Sequence, residues 1–371
     1  MKCQLAEQCC KRTSPGVREN DDAEFVPLVK AVQKNCHISD ARHARDKTLC
    51  TYLLEMREYF RWEYKIPLSQ HPPKDQLGEW LARREAMWDE LEDAPLDSLP
   101  LSGKYFDSFD IDAINLELVP HGLVYGAGFG RFHKPHFFLG RVLRREQRGG
   151  VTIVVSEREY ARDIASIPAA MQNGVIYLRQ ESLRRWLREK IEQWGLMKSD
   201  GALNSALRCY GLDHNEEAAL ERMLANESET VILHEIGEVA ADRILGAAWK
   251  EMMSSLDHKR QEIFARAVRD NLADCLSTLP ALLGDGAECS LHFYFANLDG
   301  MRRALFPRLT EAYRRWGEDG DLAPLHLAVA GGRDHWAAVG VKLVDGYCTG
   351  CERSIGDKNV SMEWLEAESV F

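Results

Sequence analysis

A mixed α+β fold follows from three observations along this chain of 371 residues. Positions 24–92 repeat apolar residues at helical spacing, short β-type runs follow between Leu116 and Leu178, and two longer helical runs occupy about 226–246 and 260–279. The organisation expected is a polar, disordered tail over 1–24 and a helical N-terminal domain over 25–110. An α+β domain with a small mixed or antiparallel sheet then covers 111–283, and a helical or mixed C-terminal subdomain covers 284–371.

The tail is expected to be disordered because Ser14-Pro15-Gly16 and Glu19-Asn20-Asp21-Asp22 offer nothing periodic to bury. In the helical segment, Phe25, Leu28, Val29 and Val32 lie on one stripe, and Leu49, Tyr52, Leu53, Met56 and Phe60 on another. Trp62, Tyr64, Trp80 and Trp88 suit packing of helix on helix. Cys36, His37, His43 and Cys50 match no common zinc-finger spacing. Pro95, Pro100, Gly103 and a run of aspartates mark 93–112 as linker. Leu116–Leu118 and Leu123–Tyr125 read as short strands. Phe137–Leu143, joined through Gly149-Gly150 to Val151–Val155, reads as a hairpin. Gly126, Gly128 and Gly130 lack a helix opening or a Lys-Ser/Thr after them, so they read as a β turn and not a phosphate loop. Gly174–Leu178 is the next strand, followed by a helix from Glu181 to Trp194 whose Arg184, Arg185 and Arg188, with Arg179 before it, read as a solvated face.

Lys+Arg 47 against Asp+Glu 58 gives a net charge of −11, a sign that does not attract polyphosphate backbones or anionic lipid. Neither a long apolar run nor a hydrophobic leader is visible, so a cytoplasmic protein without nucleic-acid or membrane partners is expected. In that reducing setting the ten cysteines default to thiols, not disulfides.

The chemistry concentrates in Glu229-Thr230-Val231-Ile232-Leu233-His234-Glu235-Ile236-Gly237-Glu238. Asn226 with Glu229 looks like a capping box, and Gly246 a helix end. On such a helix His234 and Glu238 stand one turn apart on one face, the spacing two ligands of one metal need. They lie at the edge of a stripe expected to bury Leu233, Ile236, Ala240 and Ile244. Asp242 continues the line and is a candidate to orient a ligand. On the following helix, stopped by Pro280, Asp270 and Asp274 are again one turn apart. Carboxylates so close in a half-buried helix are unfavourable unless cations or donors meet them, so a metal is one explanation and a solvated acidic face the other. Val231 occupies the place where a ferritin-like Glu-x-x-His pair needs its carboxylate, which disfavours di-iron chemistry.

From Gly174 to Leu283 this order resembles the gluzincin branch of the zinc metallopeptidases: strand, helix with His-Glu-x-x-ligand, second helix with an acid and an Asp four residues on. The resemblance implies a zincin-like core, with His234, Glu238 and Asp270 as metal ligands, Glu235 as general base and Asp274 as the acid behind a ligand. Glu238 stands where the family has His, and Asp270 where it usually has Glu. The resemblance implies zinc first, and since one imidazole with two carboxylates is harder than the usual His-rich set, Fe(II) or Mn(II) would suit it comparably. His37–Arg42 and Ala273–Pro280 also resemble an uncharacterised bacterial family with no assigned activity.

Downstream, Cys289–Phe295 reads as a strand or a buried helix entry, and His292 or Tyr294 could supply an oxyanion donor. Cys348-Thr349-Gly350-Cys351 is a C-x-x-C that could serve a second metal or a redox pair. The function expected is a metal-dependent hydrolase of peptide or amide bonds. The rivals are a non-catalytic scaffold that binds a protein partner and a metal-carrying or redox module based on Cys348 and Cys351.

Overall fold

The computed structural model describes residues 24–67, 70–130, 133–197, 200–256, 258–350 and 370–371. The tail expected over 1–24 lies outside them except for Glu24, and so does Cys351. The architecture is mixed α and β, mainly helical, with a five-stranded and a two-stranded sheet. It divides into two compact units, one ending at Arg185 and the next starting at Trp186.

The first unit opens with α1 (Val26–His43), which carries Pro27 in its first turn, where a missing N–H leaves no helical bond unmade. Thr48 caps α2 (Leu49–Glu63) by accepting from the Thr51 N–H, and α3 (Lys74–Leu91) follows. Tyr59, Phe60, Trp80 and Trp88 pack together between these helices, as the aromatic spacing suggests. The stretch expected as linker holds a small hairpin, β1 (Leu99–Leu101) and β2 (Lys104–Phe106), turned by Ser102 and Gly103 at positive φ. Leu116–Leu118, expected as a strand, is the last turn of α4 (Ile111–Leu118). Ile111, Ile114 and Leu118 recur at helical spacing and are buried, and Asp110 caps the start.

The main sheet has the order β3 (Leu123–Phe129), β4 (Pro135–Arg148), β5 (Val151–Arg162), β7 (Val175–Arg179), β6 (Ala169–Gln172). β5 and β7 are parallel and the other pairs antiparallel. The expected hairpin forms through Gly149-Gly150, and Asn173-Gly174, both at positive φ, turns β6 into β7. Gly126 and Gly128 are not in a turn but inside β3. A Cβ at Gly126 would lie 2.2 Å from the Phe138 ring, so close packing selects glycine there, while one at Gly128 would meet the movable Gln172 amide at 2.4 Å. The N-terminal helical part, expected as a domain over 25–110, packs on the sheet. Leu28, Val32 and Cys36 of α1 share one core with Leu123, Tyr125, Phe137 and Leu139 of the sheet, because α1 is the cover that the sheet's apolar face requires. Arg179 and Arg185 are buried rather than solvated.

Among its described residues the second unit is built of helices and their connections, with no strand. It holds α6 (Ala202–Cys209), α7 (Glu216–Leu245), α8 (Ala247–Ser254), α9 (Lys259–Ala273) and a π turn at Asp274–Thr278. After it come α10 (Leu279–Gly284), α11 (Glu288–Asn297), α12 (Gly300–Leu305), α13 (Pro307–Asp319) and α14 (Ala323–Gly350). The division at Arg185 falls within α5 (Gln180–Met197). In the stretch expected as a C-terminal subdomain, Trp336, Val339 and Leu343 of α14 join Val268 and Leu272 of α9 in one core. Cys289–Phe295 lies in α11. Cys209 and Cys289 form a disulfide across 80 residues, which corrects the expectation of thiols throughout; their Cα atoms stand 5.3 Å apart, within bridging range.

Candidate metal centre on two helices

The helix that carries His234 is longer than its sequence signals. It starts at Asn215, whose side chain accepts from the Ala218 N–H, so the expected start at Asn226 lies inside α7. The expected end at Gly246 is observed, with φ at +77°. The buried line is rotated from the expected one. Ile232, Glu235, Gly237, Ala241 and Leu245 face inward, while Ile244 is exposed. The reason is Gly237: a Cβ there would stand 2.3 Å from the Ala273 carbonyl oxygen, so α7 and α9 approach nearly backbone to backbone at that point. Hydrophobicity alone had pointed to the larger side chains.

That approach brings the two acidic faces together. One ligand atom each from His234, Glu238 and Asp270 lies within 4.8 Å of the other two. His234 Nε2 is 3.5 Å from Glu238 Oε1, close to the edge of about 3.3 Å that a tetrahedral ion with ligands at roughly 2.0–2.1 Å would set. Behind them, His234 Nδ1 meets Asp274 Oδ1 at 2.7 Å, the arrangement that fixes the tautomer of a ligating imidazole. Asp274 also accepts from Thr278 Oγ1 at 3.0 Å, from the Tyr294 hydroxyl at 2.8 Å and from the Arg302 guanidinium. It sits where α9 widens into the π turn, with the Leu279 N–H bonded to its carbonyl. Pro280, which has no N–H, removes the next helical bond, and widened turns of this kind recur at functional sites.

The electrostatics follow from burial opposed by partners. Burial alone would raise Asp274, but Arg302 and then His234 hold it down to about 2. Burial disfavours the His234 imidazolium, yet Asp274 and Glu238 outweigh it and raise the group well above the ordinary histidine range. Glu238 is likewise brought down to about 2, against burial, by His234 and Arg269. Glu235 goes the other way: burial, then the negative charge of Glu238, push it up to about 7. That is the range a general base or acid needs near neutral pH.

Not every expected residue joins. Asp242 pairs with Lys250 at 3.6 Å and touches no ligand, since its turn lies beyond the close approach. Tyr294 reaches the site, with its hydroxyl given to Asp274. His292, two residues earlier on α11 and so on another face, bonds Tyr313 Oη at 2.9 Å and stacks on Trp316 at 4.7 Å, outside the site. Cys348 is exposed, and its proposed partner Cys351 lies outside the described residues. Three residues were missed. Arg269 donates to Glu238 Oε1 at 2.5 Å and to Asp270 Oδ1 at 3.3 Å. Its place beside Asp270 in sequence was the only signal. Arg302 had none, being 28 residues from Asp274. Glu227, seven residues before His234 on the same face, was visible as spacing but not as a buried acid. A cleft of about 140 Å³ opens beside the cluster, lined by His234, Asp274, Tyr294 and Arg302 on one side and by Trp186 and Phe293 on the other.

The fold and site define a two-unit α+β protein whose helical second unit carries a half-buried His/Glu/Asp cluster. Two family models match: "Family of unknown function (DUF6866) N-terminal domain" over residues 27–179, and the C-terminal domain of the same family over 184–357. The chain belongs to that family, and the gap between the two matches lies next to the division at Arg185. No curated protein and no solved structure matches it.

Proposed function

We propose that this protein is a metal-dependent hydrolase acting on a peptide or amide bond, with its metal held by His234, Glu238 and Asp270. The observation that carries the reading is the convergence of those three ligand atoms within 4.8 Å, with Asp274 bonded to the far nitrogen of His234. The donor set fits a divalent ion of zinc, iron or manganese type, with three protein ligands and a position left open. When bound, the ion would polarise the scissile carbonyl and acidify a water molecule. Glu235 would take the water's proton and pass it to the leaving amine. Asp274, oriented by Arg302 and Tyr294, would keep His234 aligned. Trp186 and Phe293, ring centroids 5.5 Å apart, give the cleft an apolar wall sized for one small side chain or acyl group.

The zincin likeness is carried by the helix pair α7 and α9 alone; the five-stranded sheet belongs to the other unit. A cytoplasmic setting remains part of the proposal, with the Cys209–Cys289 bond as its exception. Among the described residues no helix is long and apolar enough to cross a membrane.

One observation favours a second reading. Arg269 already neutralises Glu238 and Asp270, so the cluster could clamp two helices of a non-catalytic scaffold without any ion. Metal analysis of the purified chain separates the two. The hydrolase reading expects one equivalent of a divalent ion, lost in His234→Ala and kept in Glu235→Gln, with amide hydrolysis abolished in both. A parent protein that neither holds nor takes up a divalent ion establishes the scaffold instead.

A further inference from the structure

The first unit contains a buried cation two of whose three nitrogens have no hydrogen-bond partner among the described residues. Arg162, the last residue of β5, is 1% exposed, and its guanidinium lies 5.0 Å from the Trp62 ring centroid and 5.8 Å from that of Tyr59. Its nearest acid is Glu159, with Nη1 3.8 Å from Oε2, beyond hydrogen-bond reach. Glu159 is already engaged: Arg179 holds both its oxygens at 2.9 Å, and Ser182 donates to Oε1 at 2.5 Å. Arg162 Nε and Nη2 therefore have no hydrogen-bond partner among the described residues. A buried, charged donor left so is costly, and native proteins keep few of them without a use.

Arg162 lines a cleft of about 300 Å³, and its companions there are cationic: Arg61, Lys65, Arg184 and Arg185, beside Trp62. Two acids also line it, and both are occupied. Glu58 takes Arg57 at 2.8 Å and Arg61 at 3.4 Å, while Glu181 accepts the Glu159 backbone N–H at 2.7 Å. Burial first, then the neighbouring Arg185, lower Arg162 to about 10 against the pull of Glu159.

We propose that this cleft binds the phosphoryl group of a small phosphorylated molecule, with Arg162 as the buried anchor and Arg184 and Lys65 at the rim. Guanidinium forks match phosphate oxygens two at a time, and several cations around one pocket suit a dianion better than a single carboxylate. The volume exceeds that of a bare ion and lies at the low end of small-molecule pockets. Arg162 Nε and Nη2 are closed off from solvent, so an entering anion meets them after a side-chain rotation at the cleft floor.

Calorimetric titration of the full chain with inorganic phosphate and with phenyl phosphate tests this, with acetate at equal ionic strength as control. Saturable one-to-one binding of both phosphates and none of acetate is expected. Arg162→Met, which keeps a long chain beside the two rings, should weaken phosphate at least about tenfold. Arg184→Glu, on the partly exposed rim, tests the same cleft without entering the core and should weaken it likewise. Lys104→Glu on exposed β2 should leave binding unchanged, and so should His234→Ala, which removes the proposed metal of the other unit as the source of the signal. Equal responses to phosphate and acetate, no saturable binding by the parent, or parent-like affinity in Arg184→Glu would overturn the proposal.

Discussion

Both units bury carboxylates, but they neutralise them differently. In the first, Asp40 pairs with Lys134 at 2.7 Å and takes the Ile164 N–H; Asp163 pairs with His136 at 2.6 Å and takes the Ser166 N–H; and Glu159 is forked by Arg179. These acids are fully enclosed, and each is matched by a neighbouring side chain: Lys134 at Asp40, the His136 ring at Asp163 and Arg179 at Glu159. In the second unit Asp274 is enclosed to the same degree, but the groups it organises are not: His234 is 25% exposed and Glu238 and Asp270 18% each. A closed pair can only hold the fold together. A closed acid that orients half-open ligands can also meet something from outside, and this contrast separates the α7/α9 cluster from the ionic pairs around the sheet.

The largest effect expected comes from breaking a closed pair. Glu159→Gln leaves Arg179 buried without its counter-charge and should destabilise the first unit by about 3–5 kcal/mol in urea unfolding. Metal content should not change. If Glu159→Gln lowered metal content while the second unit stayed folded, the separation drawn between the two kinds of cluster would fail. Gly237→Ala should come next. The added methyl meets a backbone carbonyl and not a flexible side chain, so α7 and α9 must part, at a cost of up to about 3 kcal/mol. Parting the helices also pulls His234 from Asp274. The variant is therefore expected to lose metal affinity even where it remains folded, measured by competition with a chromogenic chelator. Undiminished affinity would show that the approach at Gly237 does not set the ligand geometry.

Much of this was legible beforehand in one direction only. The pairs His234/Glu238 and Asp270/Asp274 were readable because helical spacing converts sequence separation into a shared face, and the gluzincin resemblance joined the two pairs into one set. Two such faces on adjacent helices have few ways to meet. The hairpin at Gly149-Gly150 was readable for the same local reason. What could not be read was long-range: Arg302 on Asp274, the bond from Cys209 to Cys289, and α1 covering the sheet all join residues whose intervening chain carries no periodic signal. Three residues of alternating polarity at Leu116–Leu118 fit a strand as well as a helix end, and it is the Asp110 cap that decides for the helix. Gly237 misled by silence, since a glycine inside a helical pattern reads as a weakness until its neighbour is known.

A third kind of buried acid completes the comparison. Glu227 on α7 is 1% exposed, and its partners are hydroxyls: Tyr210 Oη at 2.6 Å and Ser290 Oγ at 2.9 Å. Tyr210 and Ser290 each follow a half of the disulfide, so that bond fixes both donors around the carboxyl. Hydroxyls lower a carboxyl less than a cation does, and burial prevails, pushing Glu227 up to about 7 from an ordinary 4.5. The sign follows from linkage: a raised acid binds its proton more tightly folded than unfolded. Its contribution is present in full below pH 4.5 and is lost as pH rises through about 7. Glu227→Gln keeps a neutral acceptor and removes that loss. The stability gap between variant and parent should widen in the variant's favour by about 2 kcal/mol from pH 5 to pH 8, under a ceiling of roughly 3. Urea midpoints at the two pH values measure it. A gap that stayed constant would mean that Glu227 is ionised throughout, and that hydroxyls here do for a carboxylate what Arg302 and His234 do for Asp274.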